Sequence, residues 1–290
     1  MKEITILSGK GGAGKTTVAA ALASLAPNAV FCDNDVDAAD LHLIFKPKTK
    51  ETHKFDSGSL AVINQETCTN CGLCEDSCRF DAIHKNQNDY PEVNPFQCEG
   101  CRLCERICPA NAITITQNLN NSWYISETRF GTLVHAKMGP GEENSGKLVS
   151  RIRERAKEIA TETKASYIIN DGPPGIGCTA ISSITGTDAV LLVIEPTVSG
   201  LHDAKRVVQL IQSFEIPVFA AINKYDINTE FTKKVEDYLL ETGIPLAGKI
   251  PFSEIMVESM IAEKTVIEFD RESNVSNTLK TIWNNMISEL

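Results

Sequence analysis

No apolar run in the 290 residues is longer than the six of Ala189–Ile194, against the roughly 20 that a membrane-spanning helix needs. Met1 leads into a strand pattern rather than the apolar core of a signal peptide. The expectation is therefore a cytoplasmic chain with no membrane partner. Basic residues are also scarce: 28 Lys and Arg face 38 Asp and Glu, a net charge of −10, with no Lys/Arg-rich tract. Binding to a nucleic-acid backbone lacks its electrostatic drive, so no nucleic-acid partner is expected. What the chain has in excess is cysteine. Of ten, eight fall between Cys68 and Cys108, and under reducing conditions such clustering favours metal ligation over disulfides. The remaining composition, 42% hydrophobic and 23% charged, suits one large core or two smaller ones.

Outside the cysteine-rich stretch, strand and helix patterns alternate. Short strands are expected at Glu3–Leu7, Ala29–Cys32, Tyr167–Asn170, Ala189–Glu195, Val218–Asn223 and Ala247–Ile250. Most are apolar on both faces, as in a parallel sheet covered by helices. Helical patterns lie at Val18–Leu25, Gly146–Thr163, Leu201–Phe214 and Glu230–Thr242, and a stripe from Val275 to Leu290 predicts a terminal helix docked on the core. The fold class is α/β, a doubly wound and mostly parallel sheet. The domain reading is a discontinuous domain of 1–60 and 119–290 interrupted by an insert at 61–118. Within the insert, Cys68, Cys71, Cys74, Cys78, Ala82 and Ile83 recur thirty residues later as Cys98, Cys101, Cys104, Cys108, Ala112 and Ile113. Two such copies imply a pseudo-twofold unit.

Between the first strand and the first helix, Gly9-Lys10-Gly11-Gly12-Ala13-Gly14-Lys15-Thr16, followed by Thr17, satisfies G-x-x-x-x-G-K-[ST]. The glycines free backbone N–H groups to face a triphosphate at the helix N-terminus, Lys15 neutralises its terminal oxygens and the Thr16 hydroxyl holds Mg²⁺. Lys10, one residue after the first glycine, makes this the deviant form of the loop. With it the sequence resembles the MinD/ParA-type P-loop ATPases, a superfamily that includes Mrp carriers and the nitrogenase iron protein. The resemblance implies that Lys10 reaches across a dimer interface to the partner's nucleotide, so that ATP holds together a homodimer, or a dimer with a paralogue.

The same resemblance assigns the acidic groups. Asp33 and Asp35 follow the second strand, Asp35 positioning the attacking water and Asp33 belonging to the metal sphere. Asp37 and Asp40 continue the acidic face as solvated or capping residues. Asp171 ends a strand where a carboxylate binds Mg²⁺ through water, and Gly172-Pro-Pro-Gly175 is expected to form a stiff turn in the γ-phosphate switch. Asn223-Lys-Tyr-Asp226 matches the N-K-x-D element with which GTPases read guanine. MinD-type proteins also place an asparagine there, and Pro251 resembles their base-packing loop. The two-lysine loop is the more distinctive feature, so ATP is expected, with Asn223 at the base.

Each cysteine run spells C-x2-C-x2-C-x3-C, the bacterial ferredoxin spacing, and Pro109 completes the second. In such units the fourth cysteine of each run serves the other cluster. The resemblance therefore implies one [4Fe–4S] centre on Cys68, Cys71, Cys74 and Cys108, and another on Cys98, Cys101, Cys104 and Cys78. Arg79 stands where proline usually follows Cys78. Zinc is the alternative for paired C-x2-C motifs, and the repeated spacing suits cubanes better. Cys32 reads as a core thiol. Cys178 lies seven residues after Asp171, an offset at which the nitrogenase iron protein has a bridging-cluster cysteine; the earlier glycine-rich stretch Met138–Gly146 supplies no second one. Cys178 is either an interfacial metal or redox group or a turn-packing thiol.

Three functions fit these parts: an ATP-gated electron donor to a redox or metalloprotein client, an Mrp-like assembly ATPase, and a MinD-type spatial regulator with structural clusters. Fully cysteine-ligated cubanes suit electron transfer better than cargo, and no basic amphipathic terminal helix supports the third. The expected enzyme is an ATPase, slow without its partner.

Overall fold

The computed structural model describes residues 1–56, 58–139 and 145–290. Most of the glycine-rich stretch Met138–Gly146 therefore lies outside the described residues. The chain falls into two compact units, one of Met1–Thr52, Trp123–Lys137 and Ser145–Leu290, the other of His53–Ser122 with Met138 and Gly139.

The first unit opens with β1 (Lys2–Ser8), α1 (Lys15–Ala23), β2 (Ala29–Asp33), α2 (Leu41–Phe45) and β3 (Lys48–Phe55). The second contains β4 (Ser59–Ile63), α3 (Leu73–Asp76), β5 (Ile83–Lys85), β6 (Pro91–Val93), α4 (Leu103–Ile107) and β7 (Ile113–Gln117). The chain returns through β8 (Asn121–Glu127), β9 (Gly131–Lys137), α5 (Ser145–Glu162), β10 (Tyr167–Pro174), α6 (Cys178–Ile184), β11 (Ala189–Ile194) and α7 (Val198–Gln212). It closes with β12 (Val218–Asn223), α8 (Thr229–Thr242), β13 (Leu246–Ile250), α9 (Ile255–Ile261), α10 (Val266–Phe269) and α11 (Asn274–Ser288).

The large sheet runs β13-β12-β11-β1-β10-β2-β9-β8-β3, and every pairing from β13 to β9 is parallel. Parallel strands need cover on both faces, and the sequence supplies it. On one side Ile4, Ile6, Phe31, Ile169 and Leu191 pack with α1 and α11; on the other Leu7, Val190, Leu192 and Ile222 pack with α7 and α8. The alanine-rich α1 is buried along almost its whole length, its small side chains letting it lie close to the sheet. In α11, Val275, Leu279, Ile282, Trp283 and Met286 are buried, with Trp283 edge-on to Tyr167 at 5.2 Å. β1 lies between β10 and β11, where the winding reverses. In such sheets ligands bind at the carboxyl ends of the strands at that point.

Two differences from the sequence pattern have local causes. α7 begins at Val198 rather than Leu201 because the Thr197 hydroxyl caps it, accepting from Gly200 N at 3.0 Å. The expected turn at Gly172-Pro-Pro-Gly175 is instead the end of β10: Pro174 pairs with Ser8, and the chain turns only at Gly175, in the left-handed region at φ 81°.

In the second unit, β4 pairs antiparallel with β7 and β5 with β6. That unit extends beyond the expected 61–118, because β4 already pairs from Ser59 opposite Gln117. A small core of Ala61, Cys74, Ile83 and Ile113 holds it. The thirty-residue repeat reaches further back than the cysteines. Asn64 N donates to Ala112 O at 2.8 Å, and its counterpart Asn94 N donates to Ala82 O at 2.7 Å. The carboxamides of Asn64 and Asn94 likewise accept from Glu66 N and Phe96 N.

Candidate functional site

The loop from Ser8 to Lys15 joins the buried end of β1 to α1. Gly12 and Gly14 take left-handed φ values of 80° and 88°, which only glycine adopts without strain. Gly14 has a second constraint: a Cβ there would lie 2.3 Å from Asn223 Nδ2. A pocket of about 810 Å³ opens at this loop, within the range of small-ligand sites. Of the residues expected to bind nucleotide, Gly11, Gly12, Ala13, Gly14, Lys15, Thr16, Thr17, Asn223 and Pro251 line it, and Gly9 and Lys10 do not.

Lys15 is buried between two carboxylates, 2.8 Å from Asp171 Oδ1 and 3.4 Å from Asp35 Oδ2. Burial works against its charge, but Asp171 and Asp35 outweigh that and hold its pKa above the ordinary lysine value. Asp171 Oδ2 is buried with no hydrogen-bond partner among the described residues, an acceptor suited to a water or a metal-bound water. With the Thr16 hydroxyl, this donor set fits Mg²⁺, which keeps water ligands and takes one or two protein groups. Asp35 lines the pocket, as do Asp37 and Asp40, which were expected to be solvated or capping. Asp33 was expected in the metal sphere. It is fully buried, outside the pocket lining, and its two oxygens accept from Asp35 N at 3.3 Å and Leu41 N at 3.1 Å. Burial, with the charge of Asp171, pushes its carboxyl well up. It supports the turn that carries Asp35.

At the other end of the pocket, Asn223 Nδ2 donates to Ala13 O at 2.8 Å, and Lys224 Nζ donates to Gly12 O at 3.3 Å. Asp226 Oδ1 accepts from Phe252 N at 2.7 Å. Phe252, Met256, Val257, Met260 and Leu43 add an apolar wall that the motifs alone did not mark. Lys10 turns from the pocket to Glu195, 2.7 Å away.

In the second unit the cysteines group across the repeats. One small pocket is lined by Cys68, Cys71, Cys74 and Cys108, another by Cys98, Cys101, Cys104 and Cys78 together with Cys74. Sulfurs accept from backbone at matching places: Cys78 Sγ from Ala82 N at 3.4 Å and Cys108 Sγ from Ala112 N at 3.3 Å. Burial pushes the Cys74 and Cys104 thiols up, and the other cysteines of each run add to it. Thiols crowded in this way suit a cationic core. Among the described residues no group of three or more His, Cys, Asp or Glu could hold a single metal ion. A cubane places each thiolate on a different iron, so its ligands need not converge on one point. Cys32 is fully buried, and Cys178 is exposed at the start of α6. No helix among the described residues is long and apolar enough to cross a membrane.

Residues 4–266 match the CobQ/CobB/MinD/ParA nucleotide binding domain. The uncharacterized protein MJ0578 of Methanocaldococcus jannaschii is 35% identical over 285 residues, covering 97% of this chain and 95% of the relative. Among solved structures, the septum site-determining protein MinD of Pyrococcus horikoshii complexed with Mg-ADP is 19% identical at a TM-score of 0.59, covering 98% of this chain and 95% of that one. The Cyanothece McdA(D38A)-ATP complex is 15% identical at a TM-score of 0.58, covering 100% and 96%. At these identities the structures speak to the fold.

Proposed function

The chain belongs to the CobQ/CobB/MinD/ParA family of nucleotide-binding proteins, and from that premise we propose an ATP-gated electron carrier. It binds and slowly hydrolyses Mg²⁺-ATP as a dimer and passes electrons through two [4Fe–4S] clusters to a redox or metalloprotein client. Gly11 to Thr17 cradle the phosphates, Lys15 exchanges Asp171 and Asp35 for phosphate oxygens, and Thr16 and Asp171 hold Mg²⁺. Asp35, at the pocket wall, orients the attacking water. Asn223, Pro251 and Phe252 take the base. The cysteine-rich unit is a ferredoxin-like domain whose clusters supply one-electron chemistry; the chain's part is to set their thiolates and backbone donors.

The observation that carries this reading is the crossing of the cysteines: Cys108 lines one small pocket with Cys68, Cys71 and Cys74, and Cys78, with Cys74, lines the other beside Cys98, Cys101 and Cys104. Coupling between nucleotide and clusters is the part most open to test. A coupling of about 1 to 3 kcal/mol corresponds to roughly 40 to 130 mV for one electron. Anaerobic potentiometric titration, read by electron paramagnetic resonance with and without a non-hydrolysable ATP analogue, is expected to show a shift of that size. Unchanged midpoints and unchanged cluster access to a soluble quencher favour an Mrp-like assembly ATPase instead.

A further inference from the structure

Lys10 Nζ lies 2.7 Å from Glu195 Oε2 and donates to Thr197 Oγ1 at 3.3 Å. The other oxygen of the same carboxylate takes Lys224 Nζ at 2.9 Å. Lys224 also donates to the Gly12 carbonyl and lines the nucleotide pocket. One carboxylate thus holds two lysines, one facing the phosphate loop and one turned away from it. Burial works against the charge of Glu195, but hydrogen bonds from Lys10 and Lys224 keep its pKa below the ordinary value. Side-chain exposures of 29% for each lysine and 18% for Glu195 shield the pair from solvent, so it is stronger than a fully exposed one.

We infer that Glu195 is a positioning residue that holds Lys10 within its own subunit and so sets the phosphate charge needed before two copies of this chain pair. The inference rests on the proposed role of Lys10 as the lysine that crosses to a partner's nucleotide. To cross, Lys10 must leave Glu195. The carboxylate is not orphaned when it does, because Lys224 remains on its other oxygen. A triphosphate on the partner offers Lys10 more negative charge than the single shared carboxylate it leaves, and a diphosphate offers less than a triphosphate. Glu195 therefore sharpens the distinction between the two nucleotides. Two such pairs open for each dimer formed, so the effect of one enters twice.

Sedimentation velocity of the whole protein, saturated with ADP or with a non-hydrolysable ATP analogue, tests this. Occupancy is checked with a fluorescent nucleotide. Glu195→Gln keeps the side-chain shape and removes the charge. It is expected to lower the dimer dissociation constant with the ATP analogue by roughly tenfold or more and to permit dimers with ADP. Glu195→Asp, with the charge on a shorter arm, is expected to fall between wild type and Glu195→Gln. The double variant Lys10→Ala/Glu195→Gln is expected to be monomeric. Glu195→Gln that pairs no better than a dimerising wild type overturns the role of Glu195 and leaves the role of Lys10 standing. A wild type that stays monomeric with the ATP analogue, or a Lys10→Ala variant that dimerises like wild type, overturns both.

Discussion

Lys15 Nζ and Asp171 Oδ1 stand 2.8 Å apart at the foot of the phosphate loop, the lysine nearly buried and the carboxylate fully so. The pair holds the loop shaped for phosphate before any phosphate is there. Removing one member leaves the other as an uncompensated buried charge.

Lys15→Ala is accordingly expected to abolish nucleotide binding in calorimetric titration and to lower stability by about 3 kcal/mol. Chemical denaturation reads the second effect. A variant that binds ATP within a few-fold of wild type would remove Lys15 from the phosphate site.

Guanine readers of the N-K-x-D type use the aspartate on the base, but here Asp226 accepts from Phe252 N and does not line the pocket. Direct competition should show ATP bound more tightly than GTP. Asp226→Ala should weaken ATP about 5- to 10-fold by loosening the Phe252 wall, with no gain or selective loss for GTP. A variant that loses GTP binding alone would make Asp226 a guanine reader.

Anaerobically purified protein is expected to carry about eight iron and eight sulfide per chain, with broad absorption near 400 nm that bleaches on dithionite. Under the proposed crossed ligation, Cys108→Ser and Cys71→Ser should leave the same residual paramagnetic signal, and Cys78→Ser should share its residual signal with Cys101→Ser. Pairing by run instead of across runs would reject the crossed assignment. Stoichiometric zinc without labile sulfide would end the redox reading.

His135 stacks between Tyr124 and His42, with Nε2 3.0 Å from Ser126 Oγ. Burial, with some help from His42, lowers its pKa to about 4. The unfolded chain then binds a proton near pH 6.5 that the folded chain refuses until about pH 4, so this group destabilises the fold as pH falls through that window. His135→Phe is expected to remove about 2 to 3 kcal/mol of that acid sensitivity, measured as the difference between the two proteins' stability profiles. Parallel profiles from pH 7 to 4 would show that His135 carries none of it.

The strands around β1 were legible because Ile4, Ile6, Val190 and Leu192 are apolar where both faces are covered. β3, β8 and β9 were not. β3 reads Lys48-Thr-Lys-Glu-Thr-His-Lys-Phe55 and is exposed along most of its length, and charges of this kind guard sheet edges rather than signal a strand. In the site, the phosphate loop and the cysteine runs announce themselves by spacing. Glu195 and Phe252 do not, since each acquires its place only when β11 and β13 lie beside the loop. Asp33 adds a role that its motif position did not announce: its oxygens hold the backbone of the turn that carries Asp35.

The sheet order also fixes a timetable for biosynthesis. β1 leaves the ribosome well before its neighbours β10 and β11, and Lys15 waits for a partner 156 residues further on. At about 5 to 20 residues per second that interval lasts roughly 8 to 30 s. The cysteine-rich segment emerges whole within it. On the proposed reading, iron then reaches a finished unit on a nascent chain whose nucleotide site does not yet exist, and ATP has no influence on that delivery.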